Sequence, residues 1–551
     1  MFQKLKKILV NTFIRILIKK FYKDKSIMPS KYPFEVFEIF QNINKNKFFD
    51  KKIIIPYENE DFHNLININK PYEILEITEL ESKSSKKISI KKNKDIVIPL
   101  AILSTNTSKN PNNQIIKIVI GDIVSTIELK YSNRFHYLPI DNKSLCDTIE
   151  FYSDSLKLSI GKPIYRNLPP IIDKPKLVVQ IFIDALSYSM IEKFGYDIMP
   201  NTKRFFESGN GTFYNNCYAQ SEWTLSSISG IFTGKYTNEH LVYHPRRADK
   251  IKDITLSDVL QGEGYLTFAC SNVPKLKPIN GFDKGFDRFI QAIDKDYNYI
   301  INEAHEQLDS FGGNQYLFLG FFDNHESHTL QPISSQVSNK LNDFRYKKLK
   351  GNSKDLTILY DNERINMFKN SISHLDKKLN RLYKKINEYD RQALVVLHSD
   401  HGVNFMTQTG ELLSKEREKV VFLYKNNKSL KYSNKIKEIR ELPSMICKDL
   451  KLKNKFDYQQ NGYSITESIY PEKQYEIAIR DKKFVLFFKV NWSDINTRNY
   501  LNYKSKASFH YLDNETLMLD IKTFMSDYNR MYKIADNHYQ KICKNLINQK
   551  K

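Results

Sequence analysis

The sequence predicts an α/β protein with a mainly parallel sheet sandwiched by helices, an N-terminal β-rich domain and a small C-terminal α+β subdomain. Apolar runs such as Leu177–Ile183, broken only by Gln180, predict the sheet, because strands buried on both faces have this pattern. Helix-like stretches lie between these runs, which favours parallel strands. Four prolines within residues 163–175 mark the change from short β-branched runs to this alternation.

Length and composition bound the class of protein. The chain has 551 residues, too many for one ordinary domain, and its 41% hydrophobic residues exclude a disordered chain. Five scattered cysteines without a CxxC pair predict neither a disulfide scaffold nor a zinc cluster, and they fit a reducing compartment.

The formal charge of +22 has two interpretations, a nucleic-acid or anionic-membrane partner or a bias of composition. We favour the bias, and expect no nucleic-acid partner, because the basic residues are spread along the chain and form no nucleic-acid motif. A positive field would still favour an anionic substrate.

The first segment, residues 1–30, is basic and amphipathic. Apolar residues recur at a spacing of three to four over residues 1–25, with lysines and arginines around them. Asn11 and Arg15 interrupt the apolar stretch, so it is too short and too charged to span a bilayer. We expect a helix that lies on an anionic membrane or, equally, packs on its own domain. The predicted location is the cytoplasm, at the inner membrane face if the helix binds lipid.

Residues 31–172 are predicted to form a β-rich accessory domain. Short β-branched runs are separated by clusters of Asn, Ser and Lys, which is typical of an antiparallel sandwich. These runs are residues 52–55, 72–77, 96–100, 115–120 and 126–129.

Residues 173–470 are predicted to form the catalytic domain, and residues 471–551 the C-terminal subdomain. Buried strands are expected at Leu177–Ile183, Gln315–Phe321 and residues 393–398, with a long helix over residues 361–389. The C-terminal subdomain combines a hairpin around residues 481–482 with a final helix over residues 521–546. Ligands bind at the carboxyl ends of parallel strands, where Asp184, His325 and Asp400 would lie.

These strand ends carry residues that can bind a cation and supply a nucleophile. Asp184 and the Asp400-His401-Gly402 sequence offer oxygen and nitrogen ligands, although either alone is weak evidence. Thr224 begins a helix-like segment, where helix amides favour an anion or alkoxide. Its alternative role is that of a simple N-cap.

Several motifs follow one another in a distinctive order between residue 176 and about residue 490. These are Asp184, Pro200-Asn201-Thr202, the helix ending in Thr233-Gly234-Lys235-Tyr236, His240, residues 255–265, Gly285-Phe286-Asp287, His325-Glu326-Ser327-His328, Leu375-Asp376 and Ser399-Asp400-His401-Gly402. In these motifs and their order, the segment resembles the sulfatase-like branch of the alkaline phosphatase superfamily.

The resemblance implies a role for each matching residue. Thr224 falls at the nucleophile position and, with Asp184, Asp400 and His401, at the metal. His325 falls at the histidine that binds or protonates substrate oxygens. Weaker candidates for substrate binding are His240, His328 and Arg246.

This chain departs from sulfatases at three points. The Cys-x-Pro-Ser-Arg sequence that yields formylglycine is replaced by Thr224-Leu225-Ser226-Ser227-Ile228, and threonine cannot become the aldehyde hydrate. The paired Asp-Asp is Asp184-Ala185, and residues 270–273 replace the Gly-Lys-Trp-His segment. The pattern is closer to phosphoethanolamine and phosphoglycerol transferases, which use a threonine nucleophile.

We therefore predict a metal-dependent phosphoryl-group transferase or phosphodiesterase that modifies a cell-surface glycan. Its partners would be an anionic phosphate-bearing donor and a glycan acceptor. The alternative is a sulfatase-type ester hydrolase acting on sulfated or phosphorylated glycans, and a non-catalytic binding protein is a third class. Mixed oxygen and nitrogen ligation suits Mn, Zn or Mg, and Ca less well.

Overall fold

The computed structural model describes most of the chain beyond residue 36. The described residues are 37–41, 53–55, 73–92, 95–102, 114–129, 134–140, 146–154, 157–166, 175–243, 249–293, 295–325, 362–403, 406, 411–456, 462–469, 474–491 and 503–550. The amphipathic helix predicted for residues 1–25 lies outside these ranges.

Strands dominate the first third of the described chain and recur throughout the rest of it. The strands are β1 (Phe37–Phe40), β2 (Ile53–Ile55), β3 (Glu73–Ile74), β4 (Ile77–Leu80), β5 (Ser84–Ser89), β6 (Asp95–Ile102), β7 (Gln114–Ile120), β8 (Ile123–Leu129), β9 (Phe135–Ile140), β10 (Thr148–Ser153), β11 (Leu158–Gly161), β12 (Ile164–Arg166), β13 (Leu177–Ile183), β14 (Gly211–Tyr214), β15 (Cys217–Tyr218), β16 (Leu266–Ser271), β17 (Arg288–Gln291), β18 (Gln315–Phe321), β19 (Leu394–His398), β20 (Phe422–Lys425), β21 (Lys431–Ser433), β22 (Lys437–Glu438), β23 (Ser464–Ser468), β24 (Gln474–Arg480), β25 (Phe484–Asn491) and β26 (Ser505–Tyr511).

Helices alternate with strands from residue 188 onward. They are α1 (Tyr188–Phe194), α2 (Pro200–Ser208), α3 (Thr224–Thr233), α4 (Thr237–His240), α5 (Leu256–Gly262), α6 (Tyr297–Phe311), α7 (Asn362–Tyr389), α8 (Lys415–Glu418), α9 (Leu442–Asp449) and α10 (Met525–Lys550).

The central sheet has eleven strands in the order β21-β14-β20-β19-β13-β18-β16-β17-β1-β2-β3. Its middle part, from β19 to β17, is parallel. All seven residues of β13 are buried, and successive side chains enter hydrophobic clusters on opposite faces of the sheet. This places the carboxyl ends of β13, β18 and β19 side by side.

Helices cover both faces of this sheet. The cluster on one face includes apolar residues of α3, α5 and α9, and the cluster on the other includes residues of α1, α2, α6 and α7. Local sequence sets the helix boundaries. For example, the Thr255 hydroxyl accepts a hydrogen bond from Asp258 N and the Asp258 carboxylate accepts one from Thr255 N, so a capping box begins α5.

Two antiparallel sheets precede the central one, β5-β10-β7-β8 and β12-β6-β11-β4 with β9 beside β6. They enclose one hydrophobic cluster, as in a sandwich. A C-terminal sheet, β23-β24-β25-β26, packs on α10. The predicted fold class is confirmed. In the described part of the chain, no helix is long and apolar enough to cross a membrane.

The first three strands differ from the prediction. The sequence placed the runs at residues 52–55 and 72–77 in the β-rich domain, but β1, β2 and β3 extend the edge of the central sheet. The residue pattern identifies a short strand without indicating which sheet it joins, because pairing depends on distant partners. Here the partner is β17, antiparallel to β1.

A buried charge network links this N-terminal part to the central sheet. The Arg288 guanidinium, fully buried, donates to Glu38 at 2.6 Å and to Glu303 at 3.0 Å. Arg134 pairs with the same Glu303 at 2.9 Å and with Glu306. The network thus joins β1, the start of β9, β17 and α6.

We expect Arg288→Met to destabilise the protein by about 3–5 kcal/mol, because Glu38 would stay buried without its cation and Glu303 would keep only Arg134. Chemical unfolding monitored by circular dichroism measures this. Lys203→Ala is the control, since the exposed Lys203–Asp197 pair should contribute at most about 1 kcal/mol. Equal effects of the two substitutions would contradict the assignment.

Candidate metal centre

Asp184 follows β13 directly and is completely buried. Its backbone N–H donates to Phe321 O at the end of β18, which fixes the carboxylate between the two strands. The next residue, Ala185, has a φ of 59°, a conformation that a residue with a Cβ seldom adopts. Ala185 N donates to Asp400 Oδ1 at 3.0 Å, so this strained turn brings the two aspartates together.

Asp400 lies two residues beyond β19, the other neighbour of β13. Its Oδ1 accepts hydrogen bonds from Ala185 N and His401 N. Its Oδ2 is buried and has no hydrogen-bond partner within the described ranges. A buried carboxylate oxygen without a partner is costly, and a bound cation would remove that cost.

His401 presents one ring nitrogen to this oxygen. Its Nδ1 lies 2.7 Å from Gly402 O, so this nitrogen carries the proton and donates, which leaves the Nε2 lone pair free. Nε2 lies 3.3 Å from Asp400 Oδ2 and 3.9 Å from Asp184 Oδ1. A Cβ at position 402 would lie 2.3 Å from Glu416 O, so this close approach requires glycine.

Thr224 is the first residue of α3, and Trp223, in an extended conformation, precedes it as the N-cap. Thr224 therefore does not have the alternative role of an N-cap. Its Oγ1 lies 3.4 and 3.5 Å from the Asp184 carboxylate oxygens and 3.3 Å from His401 Nε2. Ser227 Oγ donates to Asp400 O at 2.8 Å and joins α3 to the Asp400 loop.

The electrostatics of the group favour a cation. Burial raises the pKa of Asp184 well above its ordinary value, and the nearby Asp400 raises it further. Burial also raises the pKa of Asp400 to about 6 and lowers that of His401 to about 3. Ligand atoms of Asp184, Asp400 and His401 all lie within 4.8 Å of one another. These residues, brought together as predicted, form a group that can hold a metal ion.

His325 lies at the edge of this group. It follows β18, its ring stacks on Phe322, and its Nε2 is 4.0 Å from Asp184 Oδ1. Its side chain is 32% exposed, whereas the two aspartates are not exposed at all. An imidazole in this position can contact a substrate from the solvent side.

The other predicted substrate-binding residues are less well placed. His240 is buried in α4, where its Nδ1 accepts from Val242 N at 3.0 Å, and in the described chain no hydrogen bond or ion pair joins it to the aspartates. Arg246 and His328 lie outside the described residues. Asp323, two residues before His325, has a structural role, because its carboxylate accepts from Tyr297 N and Asn272 Nδ2 and so supports α6 and the loop after β16.

Two basic side chains from different parts of the fold act on this group of metal-capable residues. Lys275, exposed in the loop after β16, lowers the pKa of Asp184. Arg417 of α8 donates through Nε and Nη2 to Glu222 O, two residues before Thr224, and its O accepts from Gly402 N. Sequence reasoning missed Arg417, because no motif marks it and only the fold brings it to α3.

Comparisons with known proteins give a family-model match over part of the chain and similar solved folds. Residues 176–437 match the sequence model of the sulfatase family, and no curated protein sequence matches significantly. A solved 2-O glycosaminoglycan sulfatase is similar at a TM-score of 0.50 and 11% identity, over 67% of this chain and 93% of its own. A Bacteroides thetaiotaomicron protein assigned as a sulfatase is similar at a TM-score of 0.50 and 12% identity, over 68% of this chain and 94% of its own. At these identities the structural similarity shows the fold.

Proposed function

We propose that this chain, whose residues 176–437 match the sulfatase-family model, hydrolyses a sulfate or phosphate ester of a glycan. Thr224 is the nucleophile and Asp184, Asp400 and His401 hold a divalent cation. The observation that supports this most strongly is the position of the Thr224 hydroxyl at the start of α3. Its Oγ1 lies 3.4 Å from the Asp184 carboxylate and 3.3 Å from His401 Nε2. The match over residues 176–437 supports the prediction of an enzyme of this superfamily.

The residues present fit a metal. The unpartnered Asp400 Oδ2, the Nε2 lone pair of His401 and the buried Asp184 carboxylate supply two hard oxygen donors and one imidazole. Such a donor set suits Mn, Zn or Mg. When bound, the cation supplies charge neutralisation and lowers the pKa of a neighbouring hydroxyl.

The chain's own residues would then perform two steps. Thr224 Oγ1 releases its proton to solvent and forms a bond to the sulfur or phosphorus atom, and the bond from that atom to the sugar oxygen breaks. The sugar oxygen leaves with a proton, which His325 donates from the exposed side of the group. Water then attacks the same atom and gives a proton back to His325, the bond from Thr224 Oγ1 to that atom breaks, and Oγ1 takes up a proton from solvent.

Helix α3 assists the first step. Thr224 is its first residue, so backbone N–H groups of the first turn face the region where negative charge develops. Ser227 holds this turn against the Asp400 loop. The geometry needed for attack is thus set by side chains that are buried before substrate binds.

A second candidate is transfer of a phosphate-linked group to a glycan hydroxyl, favoured by the residue at position 224. Threonine cannot become the aldehyde hydrate that serves sulfate hydrolysis, and a phospho-threonine can pass its group to an alcohol as well as to water. The family match supports the hydrolase better than this transferase, which the sequence pattern favoured.

One experiment tests both candidates. The metal-loaded protein is incubated with aryl sulfate, aryl phosphate and aryl phosphodiester substrates, quenched, and digested for exact-mass spectrometry of the Thr224 peptide. The proposal expects turnover of at least one ester and a sulfo- or phospho-Thr224 peptide, which exact mass distinguishes. Turnover with the adduct on another residue would overturn the role of Thr224.

We expect Lys275→Ala to weaken binding of anionic substrates. Lys275 is exposed and its charge already acts on Asp184, so its loss should raise KM about three- to tenfold with little change in kcat. The effect should shrink at high salt, because exposed charges are screened. Steady-state kinetics at two ionic strengths measure this, with Lys203→Ala as the control. An unchanged KM would place Lys275 outside the substrate site.

A further inference from the structure

Residues 425–456 present an excess of positive charge to solvent. They contain ten basic and three acidic residues, whereas the whole chain has 85 and 63. Seven lysines of this stretch are exposed, and none of its three carboxylates is. The exposed lysines are Lys428, Lys431, Lys435, Lys448, Lys451, Lys453 and Lys455. The basic composition of the whole chain therefore does not account for this local imbalance of charge.

The carboxylates of the stretch are already paired within it. Asp449 pairs with Lys428, Glu441 with Lys437 and Glu438 with Arg440. By contrast, Lys431, Lys448 and Lys451 form no ion pair with any residue that the structure describes. Their positive charge is thus available to an anionic partner.

Two hydrogen bonds join the loop after β20 to the end of α9. Asn426 Nδ2 donates to Asp449 Oδ2 at 2.8 Å, and Lys428 Nζ donates to Asp449 Oδ1. Lysines of the loop and lysines on either side of Asp449 therefore share one region of the surface. We call this region the basic surface, and its residues are Lys428, Leu430, Lys431, Tyr432, Lys448 and Lys451.

The basic surface also exposes apolar side chains. Leu430 is 45% exposed and Tyr432 is 53% exposed. The Tyr432 ring stacks on Phe213 at 4.8 Å and its hydroxyl donates to Glu207 at 2.9 Å, so the ring is held at the surface. Exposed leucine and tyrosine among lysines suit the headgroup region of an anionic bilayer, where lysines meet lipid charges and apolar groups enter the interface.

A nucleic acid is the other polyanion that such a charge excess could bind. Proteins contact phosphates and base edges most specifically through arginine, whose planar fork binds them bidentately. All the exposed basic residues of this stretch are lysines, and its one arginine, Arg440, is buried. Lysines around an exposed leucine favour a lipid surface over a nucleic acid.

The basic surface and the metal centre lie at opposite edges of the central sheet. β20 is antiparallel to β19 and ends at Lys425, which is paired with Val395 near the start of β19. Asp400 follows the other end of β19. A five-residue strand spans about 16 Å, so a bilayer at the basic surface would leave the metal centre on the far side of the sheet.

We propose that the basic surface docks the protein on an anionic lipid bilayer, with its lysines at the headgroups and Leu430 and Tyr432 in the interface. Docking in this way leaves the metal centre facing the aqueous phase. The inference does not depend on the reaction at Thr224. It also differs from the amphipathic helix predicted for residues 1–25, because it uses the loop after β20 and the end of α9.

Vesicle sedimentation of the full chain tests the proposal. The probes are vesicles of phosphatidylcholine alone and vesicles with about 30% phosphatidylserine. We expect at least about tenfold tighter binding to the anionic vesicles, and weaker binding at high salt. The variant with Lys431→Ala, Lys448→Ala and Lys451→Ala should bind them at least about tenfold more weakly, because each lysine close to an anionic surface contributes about fivefold.

Two further variants separate the basic surface from overall charge. Lys482→Ala, Lys504→Ala and Lys506→Ala together remove the same charge from exposed positions of the C-terminal subdomain, and they should weaken binding less than about threefold. Leu430→Ser changes no charge and should weaken binding about three- to tenfold, through lost apolar burial. Thermal unfolding checks that each variant is folded.

Three results would overturn the proposal. One is the absence of wild-type binding to the anionic vesicles. A second is equal binding by the two triple variants, which would assign docking to overall charge or to another segment such as residues 1–25. The third comes from the same proteins mixed with duplex DNA or single-stranded RNA. Nucleic-acid binding that the Lys431, Lys448 and Lys451 substitutions abolish, with vesicle binding unchanged, would identify a nucleic-acid surface instead.

Discussion

Thr224→Ala is expected to lower turnover by at least about 10³-fold while leaving the fold and metal binding intact. The substitution removes the hydroxyl that lies 3.3 Å from His401 Nε2 and 3.4 Å from Asp184 Oδ2. Alanine preserves α3, because Trp223 is the N-cap and the Thr224 side chain does not cap the helix. Steady-state kinetics on the ester found to turn over, with thermal unfolding beside it, measure the effect.

Two matched variants show whether the loss reflects chemistry. Thr224→Ser retains a hydroxyl and should keep a measurable part of the activity. Ser229→Ala removes another buried hydroxyl of α3, one that only donates to Leu225 O within the helix, and it should leave turnover nearly unchanged. Turnover of Thr224→Ala within tenfold of wild type would show that the nucleophile is another group.

Asp184→Asn is expected to have opposite effects on catalysis and on the stability of the metal-free fold. Activity and metal binding should be lost, because a carboxylate ligand becomes a neutral amide. The metal-free variant should unfold at a higher temperature than the metal-free wild type. Burial raises the pKa of Asp184, and Asp400 raises it further, so the ionised form opposes folding.

The raised pKa of Asp184 determines how the stability difference between the metal-free variant and the metal-free wild type changes with pH. A carboxyl group whose pKa is raised on folding costs stability above its unfolded pKa, so the advantage of Asp184→Asn should shrink as pH falls. It should disappear near the ordinary carboxyl pKa of about 4. Thermal unfolding in chelator and in excess Mn²⁺ over this pH range measures both effects. A metal-free variant less stable than wild type at neutral pH would contradict this account of the buried pair.

The buried strands could be predicted from sequence almost to the residue. Leu177–Ile183 and Gln315–Phe321 are mostly apolar runs, with Gln180 and Gln315 as the exceptions, because both faces of the central sheet are covered by helices. The pairing of β1, β2 and β3 could not be predicted, since it depends on β17, far away in the chain. The long helix α7 was also predicted, because its apolar periodicity spans many turns.

The metal-capable residues were predictable because each follows a strand of the parallel sheet. Asp184 and Asp400 follow the carboxyl ends of the neighbouring strands β13 and β19, so the sheet itself brings them together. Arg417 was not predictable, because α8 reaches the site only through tertiary packing. Sequence spacing carries no signal for such contacts.

The central claim is that Thr224 faces a divalent cation held by Asp184, Asp400 and His401. Crystals soaked in Mn²⁺ and measured for anomalous scattering test it most directly. The account predicts an anomalous peak about 2.0–2.4 Å from Asp184 and Asp400 oxygens and from His401 Nε2, with Thr224 Oγ1 as its nearest hydroxyl. A peak elsewhere, or none at these residues in crystals with saturating Mn²⁺, would contradict it.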